Sequence, residues 1–156
     1  MIEYRKATIS DAGELARLRS IMLCEADQTD SEALRAENEK ANLAYLTSAM
    51  AEDSFVAWLA VDNGVIVGTS GLSFYVSLPS LHCSDGKVAY IKNMYTIPEY
   101  REQGIATELL SRITEEALCR GYRKMALNAS NAGKPIYERY GFKEMGGNMV
   151  YLANLP

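Results

Sequence analysis

A single histidine, His82, is all the imidazole in this 156-residue chain. A His-rich metal site and a Ser–His catalytic pair therefore have little support, and no metal is expected. The cysteines Cys24, Cys83 and Cys119 are odd in number, widely spaced and without a C-x-x-C pair. They read as reduced thiols in a reducing compartment, not as a disulfide framework. Basic residues are outnumbered, 16 Lys and Arg against 20 Asp and Glu, for a net charge of −4 and a pI near 5.1. That balance argues against nucleic acid as the main partner, because neutralising phosphates needs a basic surface. A small phosphorylated ligand asks only for a local cluster of donors and stays open. No apolar run approaches the roughly 20 residues of a membrane span. The opening Met-Ile-Glu-Tyr-Arg-Lys lacks the apolar centre of a secretory signal. The expected location is cytoplasmic. Repeats, low-complexity tracts and linkers are also missing, so 1–156 is expected to be one domain.

What is present is the balance of a globular protein, 48% hydrophobic and 23% charged residues. Residues 2–6 read as a short strand. Thr8 with Asp11 makes a capping-box-like start, and Leu15, Leu18 and Met22 follow at helical spacing to about Cys24. The polar break 25–31 leads into a second helix over 31–52. Phe55–Val61 is apolar on both faces, as a covered strand would be, and Asp62-Asn63-Gly64 is a hairpin turn. Val65 to Val76 returns as the partner strand, with Gly68 and Gly71 marking bulges. After the loop 78–86 comes a strand at 87–96, then a helix over 104–120 with Ile105, Leu109, Ile113 and Ala117 as its buried stripe. A strand at 124–128, a helix from about 132–134 to Gly141, and a last strand over 142–152 complete the pattern. The order β-α-α-β-β-β-α-β-α-β is that of a layered α/β domain.

Between the strand at 87–96 and the helix that follows lies 101-REQGIA-106, with Arg101, Gly104 and Ala106 at R-x-x-G-x-A spacing. The first-turn N–H groups of a helix have no intrahelical partner, and the helix dipole adds positive charge there. A pyrophosphate fits such a place. The same six residues also suit a plain helix-starting bend with a solvated arginine. The P-loop and dinucleotide patterns G-x-x-x-x-G-K-[ST] and G-x-G-x-x-G are both absent.

The longer run 91-IKNMYTIPEYREQGIATELL-110 resembles the acetyl-CoA-binding segment of the GNAT N-acetyltransferase superfamily. A second block, 127-LNASNAGKPIYERYGF-142, is similar to the strand–helix segment that follows it there, often ending in Y-x-x-x-G-F. The opening 5-RKATISDA-12 also looks like the start of such proteins. The resemblance implies the GNAT fold, a mixed central sheet flanked by helices, and transfer of an acetyl group from acetyl-CoA to a primary amine of a small molecule or peptide. It gives the backbone of Arg101, Glu102, Gln103, Gly104, Ile105 and Ala106, with Thr107 close by, to the pyrophosphate. Met94, Tyr95 and Thr96 would pair with the pantetheine arm, one N–H polarising the thioester carbonyl. Tyr137 would be the general acid for the leaving thiolate. Many relatives have an asparagine that contacts the coenzyme seven residues before that tyrosine; this chain has Ser130 there, beside Asn131, and Ser130 is expected to keep a coenzyme contact through one hydrogen bond. Lys134 and Arg139 are candidates for the adenosine 3′-phosphate. A homodimer is a family-level expectation. No residue stands out as general base. Glu25 and Asp27 could attract a cationic amine, and Tyr75 with the 78–86 loop could line its pocket. A non-catalytic acyl-CoA sensor of the same fold stays open beside the enzyme.

Overall fold

The computed structural model describes residues 1–153. Strand β1 (Glu3–Lys6) is followed by a 3-10 turn (Ile9–Asp11) and two helices, α1 (Ala12–Ala26) and α2 (Glu32–Ala51). Then come β2 (Phe55–Asp62), β3 (Val65–Val76) and β4 (Lys87–Thr96), a 3-10 turn (Pro98–Tyr100), α3 (Ile105–Cys119), β5 (Lys124–Ala126) and α4 (Lys134–Tyr140). The sheet order is β1-β2-β3-β4-β5, antiparallel except for the parallel β4–β5 pair.

The sheet is covered on both faces, which explains why β2 is apolar at nearly every position. On one face Leu15 and Leu18 of α1 and Leu46 of α2 pack on Phe55, Leu59 and Tyr95. On the other, Leu110, Ile113 and Ala117 of α3 pack on Val56, Leu72, Ala89 and Ile91. Each fully buried aliphatic side chain contributes about 1.5–3 kcal/mol. Helix and sheet approach closely at Gly68, where an added Cβ would lie 2.9 Å from Ile105 Cγ2.

Two bulges adjust the register. One gives β3 an extra residue beside Gly68, opposite the step Ala60–Val61. At the other, expected near Gly71, the extra residue belongs to β4: Thr69 pairs with Tyr95 and Gly71 with Lys92, so Asn93 and Met94 oppose Ser70 alone. Gly71 is small for another reason, since a Cβ there would lie 2.5 Å from the Phe55 ring.

The expected strand over 142–152 does not form. Its neighbour β5 is only three residues long and offers a short edge. Gly146, with φ of 73°, and Gly147 interrupt the segment, and Met149, Val150, Tyr151 and Leu152 are exposed.

The entry to α1 is tied by a forked ion pair. Arg5 donates at 2.9 and 2.8 Å to the two oxygens of Asp11, which also accepts from the Thr8 N–H at 2.8 Å. The Arg5 hydrogen bond is the largest cause holding the Asp11 carboxyl down at about 2, against the ordinary 3.8. A depressed carboxyl stabilises the fold above its unfolded pKa and loses that contribution as pH falls through the folded one. Asp11→Asn should therefore cost about 2 kcal/mol at pH 7. In thermal melts across pH, its deficit should shrink between pH 3.8 and about 2.

Candidate active site

Strand β5 accompanies β4 for a short distance only. The pairs are Val88 with Lys124, Ala89 with Met125 and Tyr90 with Ala126. From Ile91 to Thr96 that edge of β4 has no neighbouring strand among the described residues. Backbone groups alternate in direction along a strand. Since the Ile97 N–H donates to the Val67 carbonyl at 3.0 Å, Met94 and Thr96 turn theirs to the open side. An extended polar chain could pair there as an added strand.

The chain then turns through Pro98–Tyr100 into the loop before α3. Glu102 and Gly104 both have left-handed backbones, with φ of 63° and 81°. Such alternation gathers successive N–H groups into a concave anion cradle. The Arg101 N–H is used, donating to Pro98 at 3.2 Å, and Glu108 begins the helical ladder by donating to Gly104 at 3.1 Å. Between them the N–H groups of Glu102, Gln103, Gly104, Ile105, Ala106 and Thr107 have no acceptor among the described residues. Nothing lies within 4 Å of a Cβ placed on Gly104, so its approach side is open.

Arg101 faces elsewhere. Its Nε donates to the Thr96 carbonyl at 2.9 Å and its Nη2 to Glu25 at 2.9 Å. Glu25 also accepts from the Tyr95 hydroxyl at 2.6 Å. Burial first, and this carboxylate second, push the Tyr95 phenol up to about 12. Arg101 and Glu25 thus lace the loop to the end of α1, and the cradle's positive potential comes from its N–H groups. Both Glu25 oxygens are engaged, one by Tyr95 and one by Arg101.

Across the gap stands α4. Ser130 begins it by accepting the Gly133 N–H on its hydroxyl at 3.1 Å, while its carbonyl accepts from Lys134 at 2.9 Å. A Cβ on Gly133 would lie 3.1 Å from the Tyr137 ring and 3.3 Å from the Ser130 hydroxyl, so the two side chains flank one glycine. The Tyr137 ring meets Phe142 edge-on at 6.0 Å, and Tyr137 and Met94 pack against the same apolar cluster. Burial raises the Tyr137 phenol above its ordinary value, and its hydroxyl has no hydrogen-bond partner among the described residues. A protonated phenol free to donate is what a general acid requires.

The remaining candidates make contacts of their own. Lys134 pairs with Glu144 and, at 3.9 Å, with Glu138. Arg139 is exposed in the last turn of α4. Asp27 caps the end of α1. Tyr75 pairs with Val88, at the far end of β4, roughly 20 Å along the strand from Met94. The expectations also passed over Asn93. This buried asparagine has a positive φ of 59° inside a strand. The visible signal was a residue type that strands disfavour, between Lys92 and Met94.

Comparison with known proteins places this arrangement. The model of the acetyltransferase (GNAT) family matches residues 15–142, from the first helix through Phe142. A solved structure described as a "predicted acetyltransferase with acetyl-CoA from Clostridium acetobutylicum" superposes with a TM-score of 0.87. It shares 31% identity over 97% of this chain and 96% of its own. The thialysine N-epsilon-acetyltransferase of Mus musculus is 27% identical, over 88% of this chain and 80% of that protein. The aminoglycoside N(6')-acetyltransferase type 1 of Salmonella typhimurium is 23% identical, over 68% of this chain and 74% of that protein. The cradle and the open strand edge thus lie within the matched span, and the chain belongs to the acetyltransferase (GNAT) family, as an acetyl-CoA-dependent N-acetyltransferase.

Proposed function

We propose that the protein transfers the acetyl group of acetyl-CoA directly to a primary amine of a small molecule or peptide. The observation that carries this reading is the run of unbonded N–H groups from Glu102 to Thr107, next to the unpaired edge of β4. The pyrophosphate accepts from the cradle, and the pantetheine arm lies along Met94 and Thr96. Acetyl-CoA supplies a reactive thioester. The chain supplies placement, a polarising N–H near Met94 and a protonated phenol at Tyr137. The amine nitrogen forms a bond to the acetyl carbon as the carbon–sulfur bond breaks. The amine gives up a proton to solvent, the Tyr137 phenol gives one to the leaving sulfur, and solvent reprotonates the phenolate. Both of the named relatives act on amines, as their names state, which supports an amine acceptor here.

Direct transfer is favoured over a cysteine relay by the setting of two of the three thiols, Cys83 and Cys119. Cys83 is buried, and its thiol is engaged, donating to Asp85 Oδ1 at 3.5 Å and to the Lys87 carbonyl at 3.4 Å. Cys119 is exposed at the end of α3, at the opposite end of that helix from the cradle. Initial-velocity lines for acetyl-CoA and amine should intersect, and intact mass after exposure to acetyl-CoA alone should be unchanged. Parallel lines together with an enzyme heavier by one acetyl group would contradict direct transfer.

A further inference from the structure

On the α1–α2 face of the sheet, beside the β4 bulge, lies a cavity of about 200 Å³. Arg19 of α1, Asn42 and Tyr45 of α2, Ser73 of β3, and Lys92 and Asn93 of β4 line it. Its apolar wall is Leu46 and Phe55, and no carboxylate is among its lining residues.

Asn93 is the unusual member. It is 4% exposed, and neither Nδ2 nor Oδ1 has a hydrogen-bond partner among the described residues. Buried carboxamides almost always have partners, because leaving one unpaired costs stability. Its left-handed backbone adds a second cost. The conformation is nevertheless fixed: the buried Thr69 hydroxyl donates to the Asn93 carbonyl at 2.7 Å. Because of the bulge, Lys92 and Asn93 both line this cavity, while Met94 joins the cluster on the α3 face. The unpaired carboxamide therefore sits one residue from the N–H assigned to the thioester carbonyl.

Arg19 supplies the charge. Its Nε donates to Asn42 Oδ1 at 2.9 Å, and Asn42 is locked in that orientation by donating to Asn38 O at 2.9 Å and Oδ1 at 2.8 Å. The rest of the guanidinium has no carboxylate partner among the described residues, although it is partly buried and desolvation lowers its pKa. Lys92 adds a second cation at the exposed rim. Guanidinium and carboxamide N–H together match a carboxylate, which Arg binds in fork geometry. The carboxamide oxygen is left for a donor such as an ammonium. A carboxylate beside an ammonium is the head group of an amino acid. A polycation would meet Arg19 and Lys92 with no acid in the wall to offset them.

We infer that this cavity seats the carboxylate-bearing head of an amino-acid acceptor, with Arg19 and the Asn93 amide on the carboxylate. The inference deepens the acetyltransferase reading and rests on it for the identity of the cavity as the acceptor side. The test is binding, read independently of turnover. Calorimetry on CoA-loaded protein should compare a panel of L-amino acids with their carboxamides, and with the polycation kanamycin as control. At least one acid should bind roughly 10- to 100-fold more tightly than its carboxamide. Arg19→Gln, which keeps a donor for Asn42, and Asn93→Asp, which tolerates the same backbone, should each erase that preference. CoA affinity should be unaffected in both variants. Equal binding of acid and carboxamide, binding of neither, or tighter binding of kanamycin overturns the inference and leaves the acetyltransferase reading intact. Selective acid binding without acetylation of any amine would instead remove the proposed reaction and leave the seat standing.

Discussion

Gly104→Glu is expected to weaken acetyl-CoA binding by roughly 100-fold or more, a loss of about 3 kcal/mol. The side chain would leave the backbone on the open side of the cradle, where no described residue beyond its two chain neighbours comes within 4 Å of a new Cβ. Its carboxylate would then compete for the very N–H groups, Glu102 to Thr107, that are unbonded in the fold. It would also repel the incoming pyrophosphate. The fold should tolerate the change. A non-glycine residue at a φ of 81° costs about 1–2 kcal/mol, while a carboxylate at the start of α3 recovers part of that from the helix dipole. Gly104→Ala separates the two effects, because it carries the same backbone strain with no charge. The alanine variant should retain most of its affinity when both are titrated calorimetrically. Near-normal binding by the glutamate variant would detach the pyrophosphate from this loop.

Tyr137→Phe should lower kcat by about 100-fold, within the usual contribution of a general acid. The KM for acetyl-CoA and the melting temperature should hardly change. Only the hydroxyl is removed, and it has no hydrogen-bond partner to lose among the described residues. The ring keeps its contacts with Phe142 and with the turn at Gly133. A merely structural tyrosine would give the opposite pattern, with activity retained to within about twofold. The pH profile is a second readout. Because burial raises this phenol above its ordinary value of 10.0, the proton it donates should stay available throughout the neutral and mildly alkaline range. Rates should decline on its account only above pH 10.

Much of this was legible in the chain because local chemistry and tertiary packing agree. The α3 stripe of Ile105, Leu109, Ile113 and Ala117 is fully buried, and Gly141 closes α4 with a φ of 119°. Gly104 could be read as the bend that starts the helix, and the structure gives it a φ of 81°. The acceptor side was less legible for a physical reason. Arg19, Asn42 and Asn93 come from three separate elements, α1, α2 and β4, and meet only through sheet register and the β4 bulge. Nor does spacing reveal that Arg101 points to Glu25, 76 residues away. The strand expected over 142–152 does not form, because Gly146 and Gly147 interrupt the segment and the short β5 offers little edge.

The central claim is that the N–H groups from Glu102 to Thr107 are the coenzyme's seat. Titrating CoA into 15N-labelled protein and following each backbone amide tests it most directly. Those resonances should move together along one binding curve and gain protection from hydrogen exchange, with Met94 and Thr96 following at the strand edge. Saturable CoA binding that leaves the amides of 102–107 unshifted and unprotected would contradict the account.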